Sequence, residues 1–126
     1  MTSSDFCSLL QGLADGWQSR DYARVARSYT EDVQYKDPTR YHFTSRGDLQ
    51  KFFEDDGGLP QSTVWHTIVF DEAQQVGAAE YTYTGHHQYH GTVLIKVANG
   101  RITHWREYQH IDPRPWENFV GTSRFA

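Results

Sequence analysis

The sequence predicts an α+β domain in which three N-terminal helices pack on one face of a curved antiparallel sheet. Apolar residues recur at spacings of three and four in the first half of the chain, whereas the second half is β-branched, alternating and divided by polar turns. Helices followed by a strand meander are typical of α+β domains. A chain of 126 residues supports one core, so we expect a single domain over residues 1–126.

Each expected helix follows from its apolar spacing. Residues 4–20 carry five large apolar side chains on one helical face: Phe6, Leu9, Leu10, Leu13 and Trp17. A shorter helix is expected over residues 22–29, with Asp21 as its cap. A third helix is expected over residues 47–56, because two consecutive glycines follow it.

The expected strands are a short one at 33–36 and a meander at 63–71, 76–84, 92–98 and 100–110. Pro38 ends the short strand because proline lacks the amide hydrogen of a continuing ladder. Residues 39–45 are interpreted as a loop, and Asn99-Gly100 as a tight hairpin turn. The tail, residues 111–126, is expected to pack three apolar side chains back onto the domain: Trp116, Phe119 and Val120.

The composition argues against several classes of protein. A formal net charge of −4 and the lack of a Lys/Arg run argue against nucleic acid or an anionic membrane as partner. No apolar run approaches the ~20 residues of a membrane span, and the N-terminus lacks a signal-peptide pattern, so we expect a cytoplasmic protein. A single cysteine, Cys7, excludes an intrachain disulfide. We expect no cofactor.

The last strand carries a carboxylate, an indole, a guanidinium and imidazoles. Burying such groups is unfavourable unless their polar atoms have partners, so we expect one face of this strand to line a polar pocket. The period of two places Thr103, Trp105, Glu107 and Gln109 on one face, and Ile102, His104, Arg106, Tyr108 and His110 on the other. The periodicity alone leaves open which face lines the pocket.

Three segments carry a resemblance to a known family. They are residues 29–38, which end in Asp-Pro, the Gly85-His86 step, and residues 100–108, which include Trp-Arg-Glu-Tyr. With the order of elements, they resemble the nuclear transport factor 2-like (NTF2-like) superfamily and its bacterial SnoaL-like group over nearly the whole chain. The resemblance implies an NTF2-like cone that encloses a pocket. That fold hosts isomerases, epoxide hydrolases, polyketide cyclases, dehydratases and binding modules.

Asp37 matches the Asp-Pro position that carries the general base in ketosteroid isomerase-like members. A carboxylate in an apolar pocket could shuttle a proton, although Asp-Pro is also a common turn element. The oxyanion partners of that family do not carry over, because their positions fall near Leu13 and Val93. Steroid isomerase chemistry in its familiar form is therefore not expected.

A second comparison is with limonene epoxide hydrolase-like members. Trp105-Arg106-Glu107 is similar to their Trp-Arg-Asp, and Tyr35 matches a water-holding tyrosine. Their inner arginine and second aspartate fall near Glu80 and Thr82, so the water-activating triad is not intact. The resemblance favours the face of Trp105, Glu107 and Gln109 as the pocket side, with Glu107 close to Glu80 and Asp37.

Histidines and tyrosines raise two further expectations. His86, His87 and His90 crowd one hairpin and could join His104 or His110 around zinc, but no ligand-spacing signature is present. We therefore expect them to be polar turn and rim residues and expect no metal. Tyr81 and Tyr83 have the opposite parity to Glu80 and Thr82, so we expect both tyrosines on the outer sheet face. Many members of this superfamily dimerise there, and a homodimer is expected.

Two functions remain open from the sequence. The first is an acid–base enzyme of isomerase, cyclase or hydrolase type that acts on a small apolar carbonyl, enol or epoxide compound. Asp37 and Glu107 would be its proton carriers, and its ligand-binding residues would be Trp17, Tyr35, Glu80, Thr82, Trp105 and Gln109. The alternative is a non-catalytic module that binds a small hydrophobic ligand or a protein through the same cone.

Overall fold

The computed structural model describes residues 1–125 and confirms an α+β domain built on one curved sheet. Its helices are α1 (Ser3–Ser19), α2 (Tyr22–Ala26), α3 (Arg46–Glu54) and α4 (Trp116–Val120). Its strands are β1 (Tyr29–Asp37), β2 (Tyr41–Phe43), β3 (Ser62–Asp71), β4 (Val76–Thr84), β5 (Gln88–Ala98) and β6 (Arg101–Ile111). The six strands form one sheet in the order β2-β1-β6-β5-β4-β3.

The order of helices and strands differs from the prediction at three points. Two helices and a strand precede α3, as the predicted bounds imply, but α4 adds a helix near the C-terminus that was not predicted. The predicted loop at 39–45 contains β2, which pairs antiparallel with β1. The sheet is mixed, because β1 pairs in parallel with β6.

Tyr29 explains why the second helix was predicted too long. Its spacing from Tyr22 fits a helical face, yet Tyr29 opens β1 and is completely buried. The amide of Ile102 donates to the carbonyl of Ser28 at 2.8 Å, which draws the chain into the sheet immediately after α2. An apolar residue at helical spacing therefore entered the core as part of a strand instead.

Side-chain caps set the starts of the first three helices. Thr2 and Asp5 form a capping box at α1, and Asp21 and Ser45 accept from backbone amides at the starts of α2 and α3. The buried face of α1 includes Phe6, Leu10, Leu13 and Trp17. These helices cover the inner face of the sheet, and the pocket lies in that layer.

A bulge in β6 changes the predicted alternation of that strand. Lys96 pairs with His104 and Val97 pairs with Ile102, so Thr103 is an extra residue without a partner. Ile102, which was predicted on the opposite face, is therefore buried on the same side as Trp105. The two-residue alternation of side chains along one strand cannot reveal this shift, because the bulge arises from the pairing of β6 with β5.

The C-terminal helix packs on the outer face of the sheet. The ring of Trp116 stacks on His66 at 4.0 Å between centroids, and Phe119 lies 4.6 Å from His90. The prediction that the tail folds back onto the domain is confirmed for these two aromatic residues. No helix within residues 1–125 is long and apolar enough to cross a membrane.

Candidate active site

A cavity of about 240 Å³ opens between the helices and the inner face of the sheet. Most of its wall is aromatic, including Trp17, Tyr35, Tyr41, Phe53, Trp65, Tyr81 and Trp105. Glu107 and Gln109 are the polar side chains that β6 contributes to the lining. A largely apolar cavity with a few convergent polar groups is the usual form of a small-molecule site.

Glu107 is the buried carboxyl group of this cavity, with 6% of its surface exposed. The indole Nε1 of Trp105 donates to Glu107 Oε1 at 3.0 Å, and the Tyr81 hydroxyl lies 3.2 Å from Oε2. Burial raises the pKa of Glu107, although hydrogen bonds from neighbouring side chains, Tyr35 and Trp105 first among them, act in the opposite direction. Glu107 is therefore set to hold a proton at a higher pH than an ordinary glutamate.

Gln109 connects Glu107 to Asp37. The Tyr81 hydroxyl donates to Gln109 Oε1 at 2.7 Å, and Gln109 Nε2 donates to Asp37 Oδ2 at 3.3 Å. The two candidate carboxyl groups are thus joined through one amide and one phenol. They are not in direct hydrogen-bond contact with each other.

Asp37 is buried but does not line the cavity. Its Oδ1 accepts from the backbone amide and the hydroxyl of Thr39, both at 3.1 Å, as expected for an aspartate that caps a turn before proline. Arg40 Nε lies 3.8 Å from Oδ2. Asp37 therefore stabilises a turn and contacts Gln109. Glu107, and not Asp37, is the carboxyl group of the pair that faces the cavity.

Trp17, Tyr35 and Trp105, which were predicted to bind a ligand, lie together in the cavity wall. Tyr35 stacks on Trp105 at 5.4 Å with an interplanar angle of 8°, and Trp17 meets Trp105 edge-on at 6.0 Å. This packing fixes the Trp105 ring and hence the donor that it directs at Glu107.

Glu80 and Thr82, expected to bind ligand, are not among the residues that line the cavity. The Thr82 hydroxyl lies 2.7 Å from His66 Nε2 and 2.9 Å from His90 Nδ1, beneath α4 on the outer face. Glu80 pairs with Thr92 and is displaced from the inner face in the same way. The expected cluster of three carboxylates is therefore not formed.

Tyr81 and Tyr83 line the cavity, which corrects the expectation that they lie on the outer face. Tyr81 pairs with Gly91, and Gly91 pairs with Gln109, so the inner residues of β4 and β6 lie in one row across β5. A Cβ on Gly91 would lie 2.7 Å from the Tyr81 hydroxyl. A glycine inside a strand pattern often marks such a close approach, and this signal could have identified Tyr81 from the sequence.

A second hydrogen-bond cluster lies among the residues that line the cavity. Tyr22 donates to Asp56, Gln61 Nε2 donates to the Tyr22 oxygen at 2.7 Å, and Arg20 pairs with Asp56 at 2.8 Å. Burial, followed by the neighbouring Asp56, raises the pKa of Tyr22 to about 12. These contacts connect α2 to the loop after α3.

The histidines lie outside the cavity. His86 and His87 pack against each other at 4.6 Å in the turn before β5, and His90 is buried under α4, where its Nε2 lies 2.7 Å from the carbonyl of Arg114. Within residues 1–125, no group of three or more His, Cys, Asp or Glu side chains is arranged to hold a metal ion.

Comparison with known proteins identifies the fold and the family. A family model described as a SnoaL-like domain matches residues 10–105. No protein of curated function matches the chain.

Three solved structures illustrate the fold. An LEH-like epoxide hydrolase from M. tuberculosis is 18% identical with a TM-score of 0.73, covering 85% of this chain and 84% of its own. An NTF-2 like protein of unknown function from Burkholderia xenovorans LB400 is 15% identical with a TM-score of 0.74, covering 98% and 95%. A protein of unknown function with a cystatin-like fold from Methylobium petroleophilum PM1 is 14% identical with a TM-score of 0.79, covering 92% and 82%.

Proposed function

Because the chain belongs to the SnoaL-like domain family, we propose that it is a cofactor-independent acid–base enzyme acting on a small apolar carbonyl, enol or epoxide compound. One observation carries the proposal: Glu107 is a buried carboxyl group in the wall of an aromatic cavity, and burial raises its pKa. Such a group holds its proton to a higher pH than a free glutamate and can still transfer it to a bound ligand.

The proposed step moves one proton. The O–H bond of Glu107 breaks as an O–H bond forms on the ligand oxygen, and Glu107 remains as a carboxylate. Trp105 and the nearby tyrosine hydroxyls then supply hydrogen bonds to the carboxylate. Glu107 can afterwards take a proton from a ligand carbon, as in an isomerisation or cyclisation, or from water, as in a hydrolysis.

The ligand class follows from the wall of the cavity. A carbonyl, an enol and an epoxide each offer an oxygen that can receive the proton, and the aromatic wall suits an apolar body around that oxygen. The likeness to the epoxide hydrolase from M. tuberculosis keeps epoxides among the candidates. Asp37 does not line the cavity, so in this proposal it does not exchange a proton with the ligand.

The test begins with native mass spectrometry and identification of any small molecule released from the purified protein. Turnover of that compound, or of a panel of carbonyl and epoxide compounds, is then compared between the parent protein and Glu107→Gln. Loss of general acid–base catalysis by Glu107 should lower kcat by roughly 10²- to 10⁴-fold. Glu80→Gln on the neighbouring strand is the matched control, since Glu80 does not line the cavity, and should keep full activity.

A binding module without catalysis is the second candidate function. Its support is the position of Asp37, which does not line the cavity, while the other carboxylates of the lining, Asp55 and Asp56, belong to the loop after α3 and are not hydrogen-bonded to the Glu107 cluster. Undiminished turnover in Glu107→Gln would contradict the enzyme proposal. Tight binding of a released ligand, with no chemical change in it, would favour the binding module.

We also propose that the chain forms a homodimer through the outer face of the sheet. The tyrosines first expected to make this contact lie inside, so the support comes from other residues. Leu94 and Tyr108 on β5 and β6 are exposed by 40% and 50%. Exposed apolar side chains on a broad sheet face are typical of surfaces that bind a partner.

A further inference from the structure

A row of hydrogen-bonded side chains joins Glu107, Tyr81, Gln109 and Asp37. The directions of the hydrogen bonds in this row are constrained, and this constraint goes beyond the proposed function. Its three contacts measure 3.2 Å from Glu107 Oε2 to the Tyr81 hydroxyl, 2.7 Å from that hydroxyl to Gln109 Oε1, and 3.3 Å from Gln109 Nε2 to Asp37 Oδ2. All four side chains are buried or half-buried. Hydrogen placement along the row is therefore decided by donors and acceptors within it.

Asp37 sets the orientation of the Gln109 amide. Its oxygens accept hydrogen bonds, and the Gln109 nitrogen is the donor that faces Oδ2. The flipped amide would place a carbonyl oxygen against a carboxylate oxygen, which is repulsive. The Nε2 atom therefore faces Asp37, and Oε1 must face Tyr81.

The orientation of Gln109 determines the direction of the Tyr81 hydroxyl. A phenol has a single hydrogen, and two acceptors lie within reach: Gln109 Oε1 at 2.7 Å and Glu107 Oε2 at 3.2 Å. The two oxygen atoms of the shorter contact need a hydrogen between them, and Gln109 Oε1 carries none. The Tyr81 hydroxyl therefore donates its hydrogen to Gln109. The Tyr81 oxygen then presents a lone pair to Glu107.

Glu107 must itself supply the hydrogen for this last contact. Its Oε1 accepts from Trp105 at 3.0 Å, so a proton on the carboxyl group belongs on Oε2, the atom that faces Tyr81. We propose that Gln109 is a positioning residue: held by Asp37, it turns the Tyr81 hydroxyl away from Glu107 and so keeps Glu107 as the proton donor of the site. This inference rests on the proposed function of Glu107 as an acid.

Other titratable groups also face Glu107 and enter the balance. They are Tyr29 and Tyr35 from β1, Tyr41 from β2 and Tyr81 from β4, with Asp37 behind Gln109. Tyr35 and Tyr41 donate toward Glu107. Since Gln109 Nε2 also reaches the Tyr41 oxygen at 3.5 Å, a change at Gln109 leaves the Tyr41 hydrogen free to keep that direction.

The test is an infrared titration of the protonated Glu107 carboxyl group, assigned by subtracting the spectrum of Glu107→Gln. Gln109→Met keeps the length of the side chain but removes both amide contacts. The Tyr81 hydroxyl can then donate to the ionised Glu107, so the titration midpoint should fall by about one pKa unit or more. Burial by itself predicts the opposite sign, because methionine makes the surroundings less polar.

Two comparisons complete the design. Gln34 is a half-buried glutamine that contacts His42 and lies outside the cavity. Gln34→Met should leave the titration midpoint of Glu107 unchanged. Asp37→Asn should lower the midpoint, and this effect should shrink in the Gln109→Met background, because the contribution made through the amide is already lost. A purely Coulombic effect of Asp37 would be the same in both backgrounds.

The two proposals fail in different ways. An upward or absent shift in folded Gln109→Met, or equal Asp37→Asn effects in both backgrounds, would overturn the role of Gln109 without touching the turnover result for Glu107→Gln. An inactive cavity would overturn the proposed enzyme, while the titration would still report the hydrogen-bond direction. If Gln109→Met does not fold, the sign is read from Gln109→Leu, which also lacks both amide contacts.

Discussion

At the scale of residues, the chemistry of this protein rests on the balance at Glu107. Removing a carboxyl group from water disfavours its charged form, whereas donors directed at its oxygens favour that form. Here burial has the larger effect, although Tyr35, Trp105 and Tyr41 donate toward the group. A buried acid with partners on both oxygens can exchange a proton without a large rearrangement.

The pKa of Glu107 makes stability depend on pH in a direction that can be measured. The pKa of Glu107 is higher in the folded state than in the unfolded state. Its contribution to the stability of the fold is therefore fully present below about pH 4.3 and is lost as the pH rises through the folded-state pKa. Glutamine does not ionise, so the stability of Glu107→Gln does not fall in this way as the pH rises. The free energy of unfolding of Glu107→Gln relative to the parent protein should therefore increase as pH rises above about 4.3.

Urea denaturation at a series of pH values measures this difference. Carboxyl groups with lowered pKa values, such as Asp112 at about 2, contribute equally to both proteins and cancel in the comparison. A difference between the two proteins that stays constant across the pH range would show that Glu107 titrates normally in the folded state.

At the scale of elements, the site depends on how β4, β5 and β6 align. The phenol of Tyr81 reaches β6 only because β5 has no side chain at Gly91, where an added Cβ would also approach the Tyr108 carbonyl oxygen to 2.7 Å. The bulge at Thr103 in β6 then brings Ile102 and Trp105 to the same side. Both features are relations between strands.

Gly91→Ala tests this alignment. The added methyl group must displace both Tyr81 and the β6 backbone, so we expect the variant to lose about 1–3 kcal/mol of stability and to perturb the titration of Glu107. Gly47→Ala is the control: no atom lies within 4 Å of its added Cβ, and alanine favours the helix, so a gain of about 0.5–1 kcal/mol is expected. Chemical denaturation measures both, and equal effects would contradict the close approach at Gly91.

At the scale of the whole molecule, the outer face of the sheet combines apolar and cationic side chains. Lys36 on β1 lies directly opposite Arg106 on β6, and Leu94 on β5 is the other neighbour of Arg106. Within residues 1–125, neither Lys36 nor Arg106 has a carboxylate within 4.0 Å. A dimer through this face would bring unpaired cations of two copies together, although the formal charge of the chain is −4.

Salt should therefore strengthen the proposed dimer. The Debye length falls from about 10 Å at 0.1 M to about 3 Å at 1 M salt, which screens the repulsion between the two faces while the apolar contact remains. Sedimentation velocity should show a dimer fraction that rises with sodium chloride concentration. Leu94→Lys should abolish the dimer, whereas Leu59→Lys, at an equally exposed leucine in the loop after α3, should not.

An exclusively monomeric protein at every salt concentration would contradict the dimer proposal. Equal loss of the dimer in Leu59→Lys and Leu94→Lys would place the contact elsewhere on the molecule.

The sequence by itself determined the features that depend on neighbours along the chain. The apolar spacing of α1, the bounds of β4 and the α+β class could all be predicted, because helical and strand periodicities are local properties. The placement of Trp105, Glu107 and Gln109 in one cavity wall came from the period of two together with the family resemblance.

Only the tertiary structure decided which parity of β4 faces the core. Glu80 and Tyr81 alternate visibly in the sequence, but the register with β5 and β6 turned Tyr81 inward and Glu80 away from the cavity. Likewise, the Asp-Pro motif identifies Asp37 in the sequence. Only the structure shows that Asp37 contacts Gln109 and does not itself line the cavity. Alternation is a property of one strand, whereas burial is a property of how strands pair and which face the helices cover.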